Sequence, residues 1–181
     1  MRIISGIYRG RQIRPPSGLP VRPTTDFAKE GLFNVLHSQI DLEGLAILDL
    51  FAGTGSIAYE FISRGAGEVI AVDSHPKCVA FIQETAVRLK EENLKAVRMD
   101  AFRFLATSVK KFDIIFADPP YDLAGIGTLP GKILGSGLLK EKGMFILEHS
   151  GKQDFSGETG FTWKREYGNV KFSFFSGPEG E

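Results

Sequence analysis

From residue 46 to residue 117 the chain alternates short apolar runs with segments of helical period, and few folds accommodate that rhythm. Ala46–Leu50, Glu68–Val72, Ala96–Met99 and Phe112–Ala117 read as strands. Ser56–Arg64, Pro76–Glu92 and Ala101–Ser108 read as helices between them. Strands this uniformly apolar are covered on both faces, and βαβα order places them parallel. Gly143–Glu148 adds another strand. Phe161–Tyr167 and Val170–Phe175, joined by Gly168-Asn169, read as a closing antiparallel hairpin. The expected fold class is therefore α/β: a doubly wound, mostly parallel, seven-stranded sheet. Residues 122–137 are Gly-rich and ambiguous, with one short helix near 129–134.

Ahead of this series, residues 1–23 interleave Ile3, Ile4, Ile7, Tyr8 and Ile13 with arginines around Gly6 and Gly10, the pattern of a small projecting hairpin followed by a Pro/Gly-rich loop. Thr24-Thr25-Asp26 supplies caps for a helix running to Gln39, with Leu32, Val35, Leu36 and Ile40 as its apolar stripe. The turn at 41–44 divides the chain into an extension, 1–43, and a main domain, 44–181. Net charge is zero, so no global field draws the chain to nucleic acid. Locally the balance differs: Arg2, Arg9, Arg11, Arg14 and Arg22 all precede the first acid, Asp26. Such a patch suits phosphates, and equally suits a solvated edge.

The single cysteine, Cys78, excludes an internal disulfide, and its place in a stripe with Ile82, Ala86 and Leu89 makes it a core residue. His37, His75 and His149 show no metal-ligand spacing. No bilayer-length apolar stretch or signal peptide is visible, so a cytoplasmic, metal-free protein is expected.

Two loops carry the chemistry. Phe51–Gly55 follows the first strand of the series, where Gly53 and Gly55 permit a tight turn close to a ligand. Asp73, about 20 residues on, stands where such folds hold ribose hydroxyls. Asp100 follows the third strand, and Asp49 precedes the glycine loop. The second loop is Asp118-Pro119-Pro120-Tyr121, stiff because two prolines hold φ and remove two donors. It presents a carboxylate, a proline carbonyl and an aromatic face, which suits a planar substrate bearing an amino group. Each aspartate alone makes an ordinary helix cap; four along one rim point to a binding site.

The D-x-F-A-G-T-G loop, the acid ending the second strand and the D-P-P-Y segment resemble class I S-adenosylmethionine-dependent methyltransferases of amino nitrogens, which have a Rossmann-like fold. G-x-x-R-G-R (Gly6–Arg11), R-P-T-T-D (Arg22–Asp26) with Glu30, Leu32, Phe33 and Asn34, and the terminal K-R-E-Y-G-N (Lys164–Asn169) resemble the RsmD-type 16S ribosomal RNA guanine-N2 methyltransferases. The resemblance implies that Asp49, Phe51, Ala52, Gly53, Thr54, Gly55, Asp73, Ser74, Asp100, Ala101, Phe102 and Asp118 surround S-adenosylmethionine. It implies catalysis by Asp118, Pro119, Pro120 and Tyr121, and RNA contacts from Arg9, Arg11, Arg14, Arg22, Thr24 and Thr25. The implied partner is 16S ribosomal RNA within a partly assembled small subunit. Thr85, where relatives often carry Asn, and the overall neutrality depart from the pattern. Alternatives are transfer to DNA adenine N6 or to protein glutamine, and an NAD-dependent oxidoreductase. Glutamine enzymes typically carry Asn at position 118, and hydride transfer has no need of D-P-P-Y.

Overall fold

The computed structural model describes residues 1–19 and 24–177, so Arg22 lies outside the described residues. In chain order the elements are α1 (Asp26–Gln39), β1 (Ala46–Leu50), α2 (Ser56–Ser63), β2 (Glu68–Asp73), α3 (Pro76–Leu89), β3 (Leu94–Arg98) and α4 (Ala101–Thr107). Then come β4 (Phe112–Ala117), α5 (Leu129–Gly135, after a single 3-10 turn), β5 (Leu139–Ser150), β6 (Phe161–Tyr167) and β7 (Val170–Ser176). One seven-stranded sheet runs β3-β2-β1-β4-β5-β7-β6. The first five strands in that order are parallel, and β7 returns antiparallel to β5 and β6. The expected fold class is the observed one.

Boundaries moved where local chemistry competes with periodicity. α3 stops at Leu89, three residues before the expected end, because Lys90 turns left-handed at φ 58°. β5 begins at Leu139, before a register shift against β4 and a left-handed Lys142. Ser56 opens α2 as expected, and Gly55 takes the cap position at φ 79°.

The N-terminal hairpin exists as one antiparallel bridge, Arg2–Gln12, between glycine turns. It does not project. Glu60, fully buried on α2, accepts hydrogen bonds from the Ile4 and Ser5 amides at 2.9 and 3.0 Å. The Ile7 and Tyr8 amides bond Ser63 on the same helix. A Cβ at Gly6 would lie 1.7 Å from the Ser63 carbonyl oxygen, so only glycine allows this approach. Ile3, Ile13, Ala28, Leu32, Phe33 and Leu36 enter the same core as β1 and β2. Cys78 is fully buried. Among the described residues no helix is long and apolar enough to cross a membrane, and no His, Cys, Asp and Glu group could hold a metal ion.

Candidate active site

Register assembles the site. Leu50 pairs with Val72 on one side and Ala117 on the other, and Ala117 pairs with Leu147. One residue further, at the carboxyl ends, Asp73, Asp118 and Glu148 therefore fall in a common row. Side chains repeat every second residue, so Asp49, in the row with Ala71 and Phe116, points to the same face one pleat below. The strand order reverses between β1 and β4, where doubly wound sheets bind ligands.

The carboxylates differ in what holds them. Asp73 fastens the glycine loop: its Oδ2 accepts from the Gly53 amide at 2.8 Å and its Oδ1 from the His75 amide at 2.7 Å. Asp49 is buried, and its Oδ2 has no hydrogen-bond partner among the described residues. Burial, then the nearby Asp73 and Glu148 charges, hold its carboxyl well above the usual range, against one backbone hydrogen bond from Ala58. Asp118, partly exposed at the mouth, is likewise raised, first by desolvation and then by Glu148 and Asp49. Crowding of this kind is relieved by a ligand that brings positive charge and N–H donors.

Glu148 is the residue that sequence reasoning missed. The available signal was a carboxylate near the end of an otherwise apolar run, Met144–Leu147. It is buried, and it accepts from the Thr24 hydroxyl at 2.9 Å. Burial pushes its carboxyl up to about 7, while the Thr24 bond pulls it down. An unfolded glutamate titrates near 4.3. Between about pH 4.3 and 7 the folded chain thus holds more protons than the unfolded chain, and stability falls as pH rises through that window. Glu148→Gln should exceed the parent in stability at pH 8 by on the order of 1–3 kcal/mol and lose the advantage at pH 4. Urea midpoints at the two pH values check this; a shift independent of pH contradicts it.

The glycine loop is wound left-handed at Phe51 (φ 59°), Gly53 (φ 54°) and Gly55 (φ 79°). For Phe51 that conformation is strained, of the order of 1 kcal/mol or more, as at many ligand sites. Its ring meets Phe102 edge-on at 6.4 Å. The Thr54 side chain, buried, touches the Met1 sulfur, and the Ala52 amide bonds the Val72 carbonyl. Asp100 does not join the carboxylate row: it is exposed and caps α4 by accepting from the Arg103 amide at 3.0 Å. Ala101 is buried beside it, and Ser74 is exposed at the β2–α3 turn. Pro119 is buried, Pro120 exposed, and Tyr121 is 52% exposed at the mouth.

The proposed RNA residues divide into two groups. Arg9, Arg11 and Arg14 are exposed, with Arg11 over the Tyr8 ring at 5.6 Å. Thr24 is buried against Glu148, and the Thr25 hydroxyl accepts from the Ala28 amide as the cap of α1.

Comparison with known proteins gives this site a family. The model of the family described as Conserved hypothetical protein 95 matches residues 1–176. The YlbH protein of Bacillus subtilis is 34% identical over 175 residues, covering 93% of this chain and 94% of that protein. Ribosomal RNA small subunit methyltransferase D of Escherichia coli is 35% identical over 121 residues, 67% of this chain and 60% of that one. The solved structure of the Escherichia coli protein yhhF superposes with a TM-score of 0.85 at 26% identity over 99% of both chains. The 16S rRNA N2 G1207 methyltransferase of Thermus thermophilus, solved with AdoMet and guanosine, shows the same fold at 22% identity and a TM-score of 0.71 over 89% of this chain and 46% of that one. With the family model spanning nearly the whole chain, the protein belongs to the Conserved hypothetical protein 95 family and is a methyltransferase of the RsmD type.

Proposed function

We propose that the protein transfers a methyl group from S-adenosylmethionine to the exocyclic N2 amine of a guanine in 16S ribosomal RNA, acting in the cytoplasm on a partly assembled small subunit. The observation that carries this reading is the row of Asp73, Asp118 and Glu148 above Asp49, whose Oδ2 has no partner among the described residues, beside the left-handed glycine loop that Asp73 fastens. A buried carboxylate oxygen lacking a donor fits the cofactor's ammonium. Asp73 would hold its ribose while fastening the loop, and Ala101 and Phe102 would hold the adenine. When bound, the cofactor supplies a methyl group already activated by a positive sulfur.

The chain's own part is positioning and proton handling. The N2 lone pair of guanine is delocalised into the ring. Accepting its two N–H bonds at Asp118 and the Pro119 carbonyl favours pyramidalisation and frees the lone pair. Tyr121 offers a stacking face at the mouth, which requires an unpaired or flipped nucleotide. Asp118 then takes the amine proton, an exchange favoured by its raised pKa. The reading is tested by supplying labelled S-adenosylmethionine and small subunits from a strain lacking the gene, then digesting the RNA for mass spectrometry. N2-methylguanosine is expected. Label at another atom or base, or none, overturns the reading.

Asp73→Ala removes the acceptor for Gly53 and His75 as well as the ribose contact. It should weaken S-adenosylmethionine binding by on the order of 1–3 kcal/mol. Calorimetry giving parental affinity in a folded variant would remove Asp73 from the site.

The exposed Arg9, Arg11 and Arg14 supply phosphate contacts, each contributing a salt slope of about −0.7 on single strands. Changing all three to Ala should weaken RNA binding and flatten its salt dependence, with melting temperature and cofactor affinity nearly unchanged. Parental affinity and slope in the triple variant would make the arm a solubilising edge, and Lys110, Lys111, Lys140 and Lys142 would be the next surface to test.

A further inference from the structure

A glycine in mid-helix weakens α1 by about 1 kcal/mol relative to alanine, yet Gly31 occupies that position. The reason is Tyr167. A Cβ at Gly31 would lie 2.2 Å from the Tyr167 ring, so this ring rests directly on the helix backbone. Phe27, one turn earlier and 68% exposed, meets the same ring edge-on at 5.8 Å. With Glu30, Asn34 and Ser38 they line an open groove of about 550 Å³, within the range of about 300–1,000 Å³ typical of small-ligand sites.

This groove belongs to the catalytic rim. Tyr167 pairs with Val170, and Val170 pairs with Ser150, two residues beyond Glu148 on β5. Period-two alternation puts Tyr167 on the sheet face that carries Glu148, one pleat nearer the mouth. Thr24, just ahead of the cap of α1, the helix that forms one wall of the groove, donates to Glu148 itself. Two aromatic rings and a line of polar side chains match one ligand type, a planar base with a π face and hydrogen-bonding edges. Glu30 repels phosphate, so it favours a base edge over the backbone at this spot.

We infer that this groove holds an unpaired nucleobase of the same RNA strand, next to or near the target guanosine. The base stacks on the face of one ring and meets the other edge-on, as the 83° angle between Phe27 and Tyr167 requires, and its polar edge meets Glu30 and Asn34. This rests on the RNA methyl-transfer reading above.

The test uses the full chain, S-adenosylmethionine and small subunits from a strain lacking the gene. Phe27→Ala and Tyr167→Ala should each raise KM for the subunit about fivefold to 150-fold, with kcat and cofactor affinity unchanged. Gly31→Ala, which keeps both rings but displaces Tyr167, should act in the same direction. Subunits substituted with 5-iodouridine should photocross-link to Phe27 or Tyr167. Parental KM in all three folded variants overturns the inference while leaving the methyltransferase reading intact. If the parent itself transfers no methyl to RNA, the functional reading fails first and the groove assignment falls with it.

Discussion

Asp118→Ala should lower methyl transfer by about 10²–10⁴-fold while S-adenosylmethionine binds with nearly parental affinity. In the proposed reading its carboxylate faces the acceptor amine, and Asp49, Asp73 and the glycine loop hold the cofactor. The variant relieves like-charge crowding around Glu148 and Asp49, so a general loss of folding is not expected. Single-turnover rates and calorimetry together check the split: equal losses in binding and rate would place Asp118 in the cofactor site instead. Tyr121 sharpens the test. Tyr121→Ala should lose activity and Tyr121→Phe should keep most of it, because stacking needs the ring. A Phe variant as inactive as the Ala variant would mean that the hydroxyl takes part. The parent's rate should also rise with pH as Asp118 ionises, since its carboxyl titrates above the ordinary range.

The second large effect concerns Glu60→Ala, which should destabilise the fold by about 3–5 kcal/mol, against a total of about 5–15 for a domain of this kind. Glu60 is fully buried and holds four partners: the Ile4 and Ser5 amides, Arg64 at 2.8 Å and the Lys29 ammonium at 3.7 Å. Lys29 is 1% exposed, and without Glu60 its ammonium keeps, among the described residues, hydrogen bonds to the Arg2 carbonyl and the Ser56 hydroxyl and the more distant charge of Asp26. A stranded buried charge is the main term, so Glu60→Gln combined with Lys29→Met should regain much of the loss. Hydrogen exchange at Ile4 and Ser5 should quicken in Glu60→Ala, because those amides lose their acceptor. An unfolding free energy from urea denaturation within about 1 kcal/mol of the parent would sink the account.

The sequence alone determined whatever neighbouring residues decide. Strand and helix periods gave the α/β order. Proline stiffened Asp118–Tyr121, left-handed glycines shaped the loop at 53–55, and short polar side chains marked the caps at Thr25 and Asp100. Only the tertiary structure decided the rest. Glu148 entered the site because β5 pairs with β4 in one register, reached through an irregularity between Phe112 and Ile114. Thr24 bonds Glu148 across 124 residues. The arginine-bearing segment lies on α2 because Glu60, far along the chain, satisfies its amides. Gly31 is glycine because Tyr167 needs the space. Torsional preference acts between adjacent residues and can be read in order. Register, burial and charge pairing arise between residues that meet only after folding.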